Sequence, residues 1–169
     1  RRQRQMCIRD RVNVMNELVY RNLSEDAKRQ ICAWKYGGEY DLYNLPSYEE
    51  MQVRQIGFMN PQREKNYYGF WDESILVGFV NILEEKEEVF IGIGVNPDLC
   101  NKHYGQRMLL ITYEISKKLY PDKPLYLEVR TWNIRAVKCY QKAGFRIDGQ
   151  AYELTTGIGT GTFYRMIRE

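Results

Sequence analysis

Two residues of this chain suit the passage of a proton between an attacking and a leaving group. Glu128 falls in the strand-like run 125–131, and Tyr140 lies twelve residues on, in the helical run 134–143. A carboxylate can take a proton from a nucleophile, and a phenol can give one to a leaving group. Asn133 stands at the start of the helical run, seven residues before Tyr140, and Gly144-Phe145 closes it. Other reactive side chains are sparse. His103 is the single histidine, which excludes two-histidine metal motifs; it reads as a loop residue rather than a catalytic base. The four cysteines, Cys7, Cys32, Cys100 and Cys139, have no paired close spacing and form neither a zinc ribbon nor a disulfide framework. A thiol nucleophile wants a base beside it. Cys139 sits in mid-helix next to Tyr140, so it and Cys100 read as packing residues.

Positioning such a pair requires a strand followed directly by a helix, and the flanking sequence supplies more of both. Residues 17–21 make a short strand candidate. Ser24 caps a helix whose first turn holds Glu25 and Asp26, and Gly37-Gly38 stops it. Tyr36, Tyr40 and Tyr43 cluster in the loop beyond. Ser47 caps a second helix, with Glu50 as its capping-box partner. Runs 67–71, 75–83 and 89–95 read as three strands in two successive antiparallel hairpins. Asn96-Pro97-Asp98 breaks the pattern. Residues 104–119 form a helix with Met108, Leu109, Thr112, Ile115 and Leu119 on one face. After the strand at 125–131 and the helix at 134–143 come two strands, 146–154 and 162–167, separated by a Gly/Thr-rich turn at 155–161. The order predicts one α/β or α+β domain with a mixed sheet.

The 169 residues are 44% hydrophobic and 28% charged, ordinary for a globular domain. The longest apolar run, Ile75 to Leu83, is far short of the ~20 residues that span a bilayer. The net charge of +3 is local in origin. Residues 1–14 carry five arginines against Asp10, while the remainder has 20 basic and 21 acidic residues. That body gives no electrostatic footprint for nucleic acid. The basic start lacks the apolar segment of a secretory signal. It reads as a non-native or disordered extension resembling translated adapter sequence, with a nucleic-acid arm or targeting peptide as the other readings. Met15 is then the natural start, and residues 15–169 form the domain.

The block Leu127 to Arg146, LEVRTWNIRAVKCYQKAGFR, resembles the GNAT superfamily of acetyl-CoA-dependent N-acyltransferases. The pattern LEVR-x-x-N-x-x-A-x-x-x-Y-x-x-x-G-F is long and specific, and the element order matches over residues 15–169. The resemblance implies the GNAT fold, a mixed, mostly antiparallel sheet of about seven strands flanked by about four helices. It also implies acetyl-CoA as co-substrate, no metal, an amine acceptor, no nucleic-acid or membrane partner, a monomer or homodimer, and a cytoplasmic location. In the family a loop Q/R-x-x-G-x-G/A opening a helix cradles the coenzyme pyrophosphate with backbone amides. The aligned residues are Cys100, Asn101, Lys102, His103, Tyr104 and Gly105, followed by Gln106. Cys100 and His103 depart from the pattern, and His103 must adopt the backbone conformation that glycine allowed. The strand before it brings backbone at Ile93, Gly94 and Val95 to the pantetheine arm. Gly92 and Gly94 leave room there, and the family carries a bulge in this strand. Asn133 and Tyr140 complete the coenzyme contacts.

The same resemblance sharpens the proton roles. Glu128 and Tyr140 match the acid–base pair of the ribosomal-protein N-terminal acetyltransferases, with Glu128 as base and Tyr140 as donor to the coenzyme sulfur. Glu128 as a structural carboxylate, pairing with Arg130 or a backbone amide, is the competing reading. Many members place the base on the preceding strand, near Glu87 and Glu88. Trp34, Tyr36, Tyr40, Tyr43 and Tyr152 are expected to wall the acceptor site. A small molecule (polyamine, amino acid or aminoglycoside) and a peptide N-terminus are the two acceptor classes. An acidic pocket built from Glu39, Asp41, Glu49 and Glu50 would favour polycations. The departures in the pyrophosphate loop leave a non-catalytic acyl-CoA-binding regulatory module as the alternative function.

Overall fold

The computed structural model describes residues 17–169; the expected extension over residues 1–14 lies outside them. Strand β1 (Val19–Asn22) is followed by helix α1 (Glu25–Ala33). Ser24 starts α1 as its type dictates, its Oγ accepting from the Ala27 amide at 3.1 Å. The helix ends earlier than the glycine pair suggests. Trp34 is already extended, with its ring tilted on Phe79 at 6.2 Å. A six-residue 3₁₀ turn, Gly38–Tyr43, precedes helix α2 (Tyr48–Arg54). Ser47 caps α2 through the Glu50 amide at 3.2 Å. The reciprocal half of the capping box is missing, because the Glu50 carboxylate pairs with Arg54 at 3.1 Å instead.

Strands β2 (Tyr67–Asp72), β3 (Ile75–Glu84) and β4 (Val89–Val95) form the two expected hairpins. Helix α3 (Tyr104–Leu119), β5 (Leu125–Arg130) and helix α4 (Ile134–Lys142) follow. The expected strand 146–154 is cut into β6 (Arg146–Ile147) and β7 (Tyr152–Thr156). Gly149, at φ 74°, makes the break. The final strand, β8 (Gly159–Arg168), is longer than expected. Thr155 and Thr160 pair across the hairpin, so the Gly/Thr-rich segment is mostly ladder and turns only around Gly157 and Ile158. The eight strands run β1-β2-β3-β4-β5-β8-β6, with β7 also on β8. Among the described residues the architecture is the expected α+β type with a mixed, mostly antiparallel sheet and four α-helices.

The one parallel junction decides where a site can be. β4 and β5 share only two register pairs, Val89↔Leu125 and Phe90↔Tyr126. By contrast β3 and β4 stay paired from Glu84↔Val89 to Gly78↔Val95, and β5 and β8 from Leu125↔Arg168 to Arg130↔Phe163. Beyond Phe90 the two central strands part, leaving both inner edges without a strand partner. The expected bulge in β4 is absent from its pairing with β3; the register shift lies instead between Phe70 and Trp71 of β2.

Two cores hold the halves of this sheet. On one face Val80, Ile82, Ile91, Leu125, Leu127 and Met166 pack with Met108 and Leu109 of α3. On the other, Ile31, Met51 and Phe58 pack with Trp71 and Leu76. Leu119 leaves the expected α3 face: it is 52% exposed, because the last turn of the helix runs out past the core, and Ser116 is buried there. No helix among the described residues is long and apolar enough to cross a membrane. Among the described residues the first element begins at Val19, and deleting residues 1–14 is expected to leave the melting temperature and acetyl-CoA affinity unchanged. Differential scanning calorimetry of the truncated chain checks this, and a large loss of stability would count against it.

Candidate active site

Where β4 and β5 part, a cavity of about 620 Å³ opens between them. It gathers Ile93, Gly94 and Val95 of β4, the loop residues Cys100, Asn101 and His103, and Tyr104, Gly105 and Gln106 at the start of α3. Glu128 of β5, Asn133 and Tyr140 of α4, and the aromatics Trp34, Tyr36, Tyr40 and Tyr43 complete the expected set. Lys102 is exposed and outside the lining, and Tyr152 reaches the site only through Glu128.

One end of the cavity concentrates positive potential. His103 caps α3 in the left-handed region, at φ 65°, with no side-chain capping bond. The departure from glycine is thus tolerated with glycine's conformation kept, and Asn101 at φ 63° does the same two residues earlier. The amides of Tyr104, Gly105 and Gln106 have no intrahelical acceptor, and the helix dipole adds positive potential there. Arg135, Lys138 and Lys142 of α4 line the same cavity. Their spacing puts them on one helical face, the only signal in the sequence that could have found them.

Gly105 has a packing reason as well. A Cβ there would lie 3.0 Å from Cys139 Sγ and 3.5 Å from Val95 Cγ2, so only glycine lets α3 and α4 approach. Burial pushes the thiols of Cys139 and Cys100 up, which keeps both protonated and agrees with packing roles. Two variants separate backbone from side chain. His103→Gly is expected to bind acetyl-CoA as well as the parent or better. Gly105→Val should weaken binding by about tenfold or more by wedging α4 away from the loop. Equilibrium titration of both measures this; the reverse order would make the His103 side chain the contact.

The β4 glycines do not act alike. A Cβ on Gly94 would overlap the ring of its cross-strand partner Phe79, so its space is already filled by an aromatic side chain rather than kept for a ligand. Gly92 has nothing nearer than 3.5 Å. The free β4 edge is roofed by the segment after α1. The Tyr36 hydroxyl donates to the Val95 carbonyl at 2.6 Å, and burial pushes this phenol up. Tyr40 and Tyr43 pack on Trp132 at 5.6 and 6.1 Å, and the Arg135 guanidinium stands 4.1 Å over Tyr40. Asn133 explains its place in the motif: Oδ1 accepts from the Ala136 amide at 3.2 Å, and Nδ2 donates to the Tyr43 hydroxyl at 3.3 Å. It caps α4 and ties the aromatic roof to it.

Glu128 faces the cavity from the middle of β5. Its Oε2 accepts from the Tyr152 hydroxyl, and the ion pair with Arg130 that the competing reading offered does not form. Burial and this bond push the Tyr152 phenol up. Tyr140 projects from α4 into the same cavity, and burial pushes its phenol up as well. The alternative bases on β4 are elsewhere. Glu88 is engaged by Arg165 in a two-pronged pair, and Glu87 is exposed, both at the closed end of the β4–β5 junction. The acids that could have made an acidic pocket, Glu39, Asp41, Glu49 and Glu50, do not line the cavity; among the described residues Glu128 is its single carboxylate.

Comparison with known proteins agrees with this geometry. Residues 21–145 match the model of the acetyltransferase (GNAT) family. No match is found among curated protein sequences. Among solved structures, a spermidine N-acetyltransferase from Vibrio cholerae, in complex with CoA and spermine, is 18% identical, with a TM-score of 0.71 over 89% of this chain and 94% of that one. A GNAT acetyltransferase from Bacillus anthracis is 18% identical, TM-score 0.70, covering 89% and 93%. One from Streptococcus pneumoniae is 23% identical, TM-score 0.64, covering 90% and 98%. At these identities the likeness is one of fold.

Proposed function

Because this chain belongs to the GNAT acetyltransferase family, we propose that it moves the acetyl group of acetyl-CoA to a primary amine, of a small molecule or a peptide N-terminus, by direct attack in a ternary complex. The observation that carries this reading is the opening between β4 and β5. It joins uncapped helix amides at one end to a carboxylate and a half-buried phenol within one cavity.

The residues present fit the coenzyme. The first turn of α3, with Lys138 and Lys142, suits the phosphates, and the unpaired β4 edge offers backbone groups to an amide-bearing arm. The amine nitrogen attacks the thioester carbonyl carbon; a C–N bond forms and the C–S bond breaks. Glu128 takes the proton lost by the nitrogen, directly or through one water. Tyr140, held protonated by burial, gives its proton to the departing thiolate and regains one from solvent. The two thiols nearest the site are also held protonated, which favours direct transfer over an acetyl-thiol intermediate.

The test is acetyl-CoA titration followed by a thiol-release assay over polyamines, amino acids, aminoglycosides and short peptides. Acceptor-dependent release is the expected result. Binding without release across every acceptor would instead mark a regulatory acyl-CoA-binding module.

A further inference from the structure

Arg130 is a buried cation without a carboxylate. It is 8% exposed, at the end of β5, and it lines the cavity. Its Nε has no hydrogen-bond partner, and among the described residues no acidic side chain pairs with it. Nη2 reaches only the Gly159 carbonyl at 3.5 Å, and the guanidinium carbon stands 4.9 Å over the Phe163 ring. The protein nevertheless makes room for this group: a Cβ on Gly161 would overlap Nη1, so the β7–β8 hairpin is spelled with glycine where the guanidinium lies. An unpaired buried charge is costly, and a cation–π contact offsets only part of that cost. Such a site is completed by an anion that arrives with a ligand.

Glu128 sits two residues earlier on the same strand face. Alternate strand residues lie about 6.5–7 Å apart and point the same way. The face therefore presents a carboxylate for an amine next to a guanidinium for an anion. The rest of the lining agrees with this polarity: Arg135, Lys138 and Lys142 add positive charge, and among the described residues Glu128 is the single acid. Among the described residues the lining offers no further carboxylate for the second and third charges of a polycation. A single buried guanidinium matches a singly charged carboxylate better than a dianionic phosphate.

We propose that the acceptor is an amine carrying its own carboxylate a few bonds away, of the free amino acid class, with Arg130 as the group that reads the carboxylate. The inference rests on the acetyltransferase reading above and narrows its acceptor. In the reaction the carboxylate stays unchanged; docking it on Arg130 aims the neutral amine at the thioester carbon beside Glu128.

The experiment measures thiol release from acetyl-CoA with each L-amino acid and its carboxamide, compared per unprotonated amine, alongside spermidine, β-alanine and phosphoethanolamine. Wild type is expected to favour at least one free acid over its amide by about tenfold or more in kcat/KM, the scale of a charge-assisted hydrogen bond. Arg130→Met should bring that acid-to-amide ratio to about one by raising KM for the acid, and Arg130→Lys should restore part of it. If Arg130→Met does not fold, the wild-type ratio alone decides. A ratio near one for every pair overturns the inference, as does spermidine or phosphoethanolamine outrunning all the acids. In those cases acetyl transfer to another amine leaves the enzyme reading standing. Absence of acetyl-CoA binding and of thiol release from any amine overturns both.

Discussion

Tyr140→Phe is expected to lower kcat by about 10²–10⁴ while leaving acetyl-CoA affinity within about twofold, the range typical of losing a positioned general acid. The substitution removes one oxygen from a ring that α4 already holds in the cavity, so packing changes little. What disappears is the proton for the leaving thiolate. Burial keeps the Tyr140 phenol protonated through the working pH range, so the donor is present at every pH where the amine is reactive. Single-turnover thiol release with a preloaded enzyme, beside an equilibrium titration, separates the two effects. Near wild-type turnover would remove Tyr140 from the mechanism.

Glu128→Gln is expected to cut kcat/KM by about 10²–10³ at every pH where the amine is reactive, because the group that takes the amine proton is gone. The amide keeps an oxygen that can still accept from the Tyr152 hydroxyl, so the β5–β7 contact survives and the loss belongs to chemistry rather than folding. A pH–rate profile of the variant with the best acceptor is the measurement. Near wild-type rates across the profile would move the base to a bound water, since Glu88 is held by Arg165 and Glu87 is exposed.

Much of this molecule was legible from residue order. Periodicity and Gly or Pro stops gave α3 and β4 their observed bounds, and the long LEVR…N…Y…GF pattern located the β5–α4 unit that carries Glu128 and Tyr140. Other features depend on residues far apart in sequence. The partner of Gly94 is Phe79 across a hairpin, so a glycine that looked like open space is filled. The roof over the cavity is a chain of contacts from Trp34 to Tyr43 with β3, β4 and α4, visible only once these elements meet. Arg130 reads in sequence as a partner for Glu128, two positions away on the same face. Tyr152, from a strand whose break at Gly149 was hidden, takes that place and leaves the guanidinium unpaired.

The narrow β4–β5 junction has a consequence for how the protein breathes. With two register pairs holding the central strands, β1–β4 and β5–β8 are nearly separate ladders joined by helical packing. Cooperative opening follows such seams. In amide hydrogen exchange the two ladders should therefore show distinct opening energies, with β5 protected together with β8 rather than with its neighbour β4. A coenzyme laid along the gap would act as the missing rung. Saturating acetyl-CoA should then slow exchange in both ladders at once, merging two subglobal openings into one.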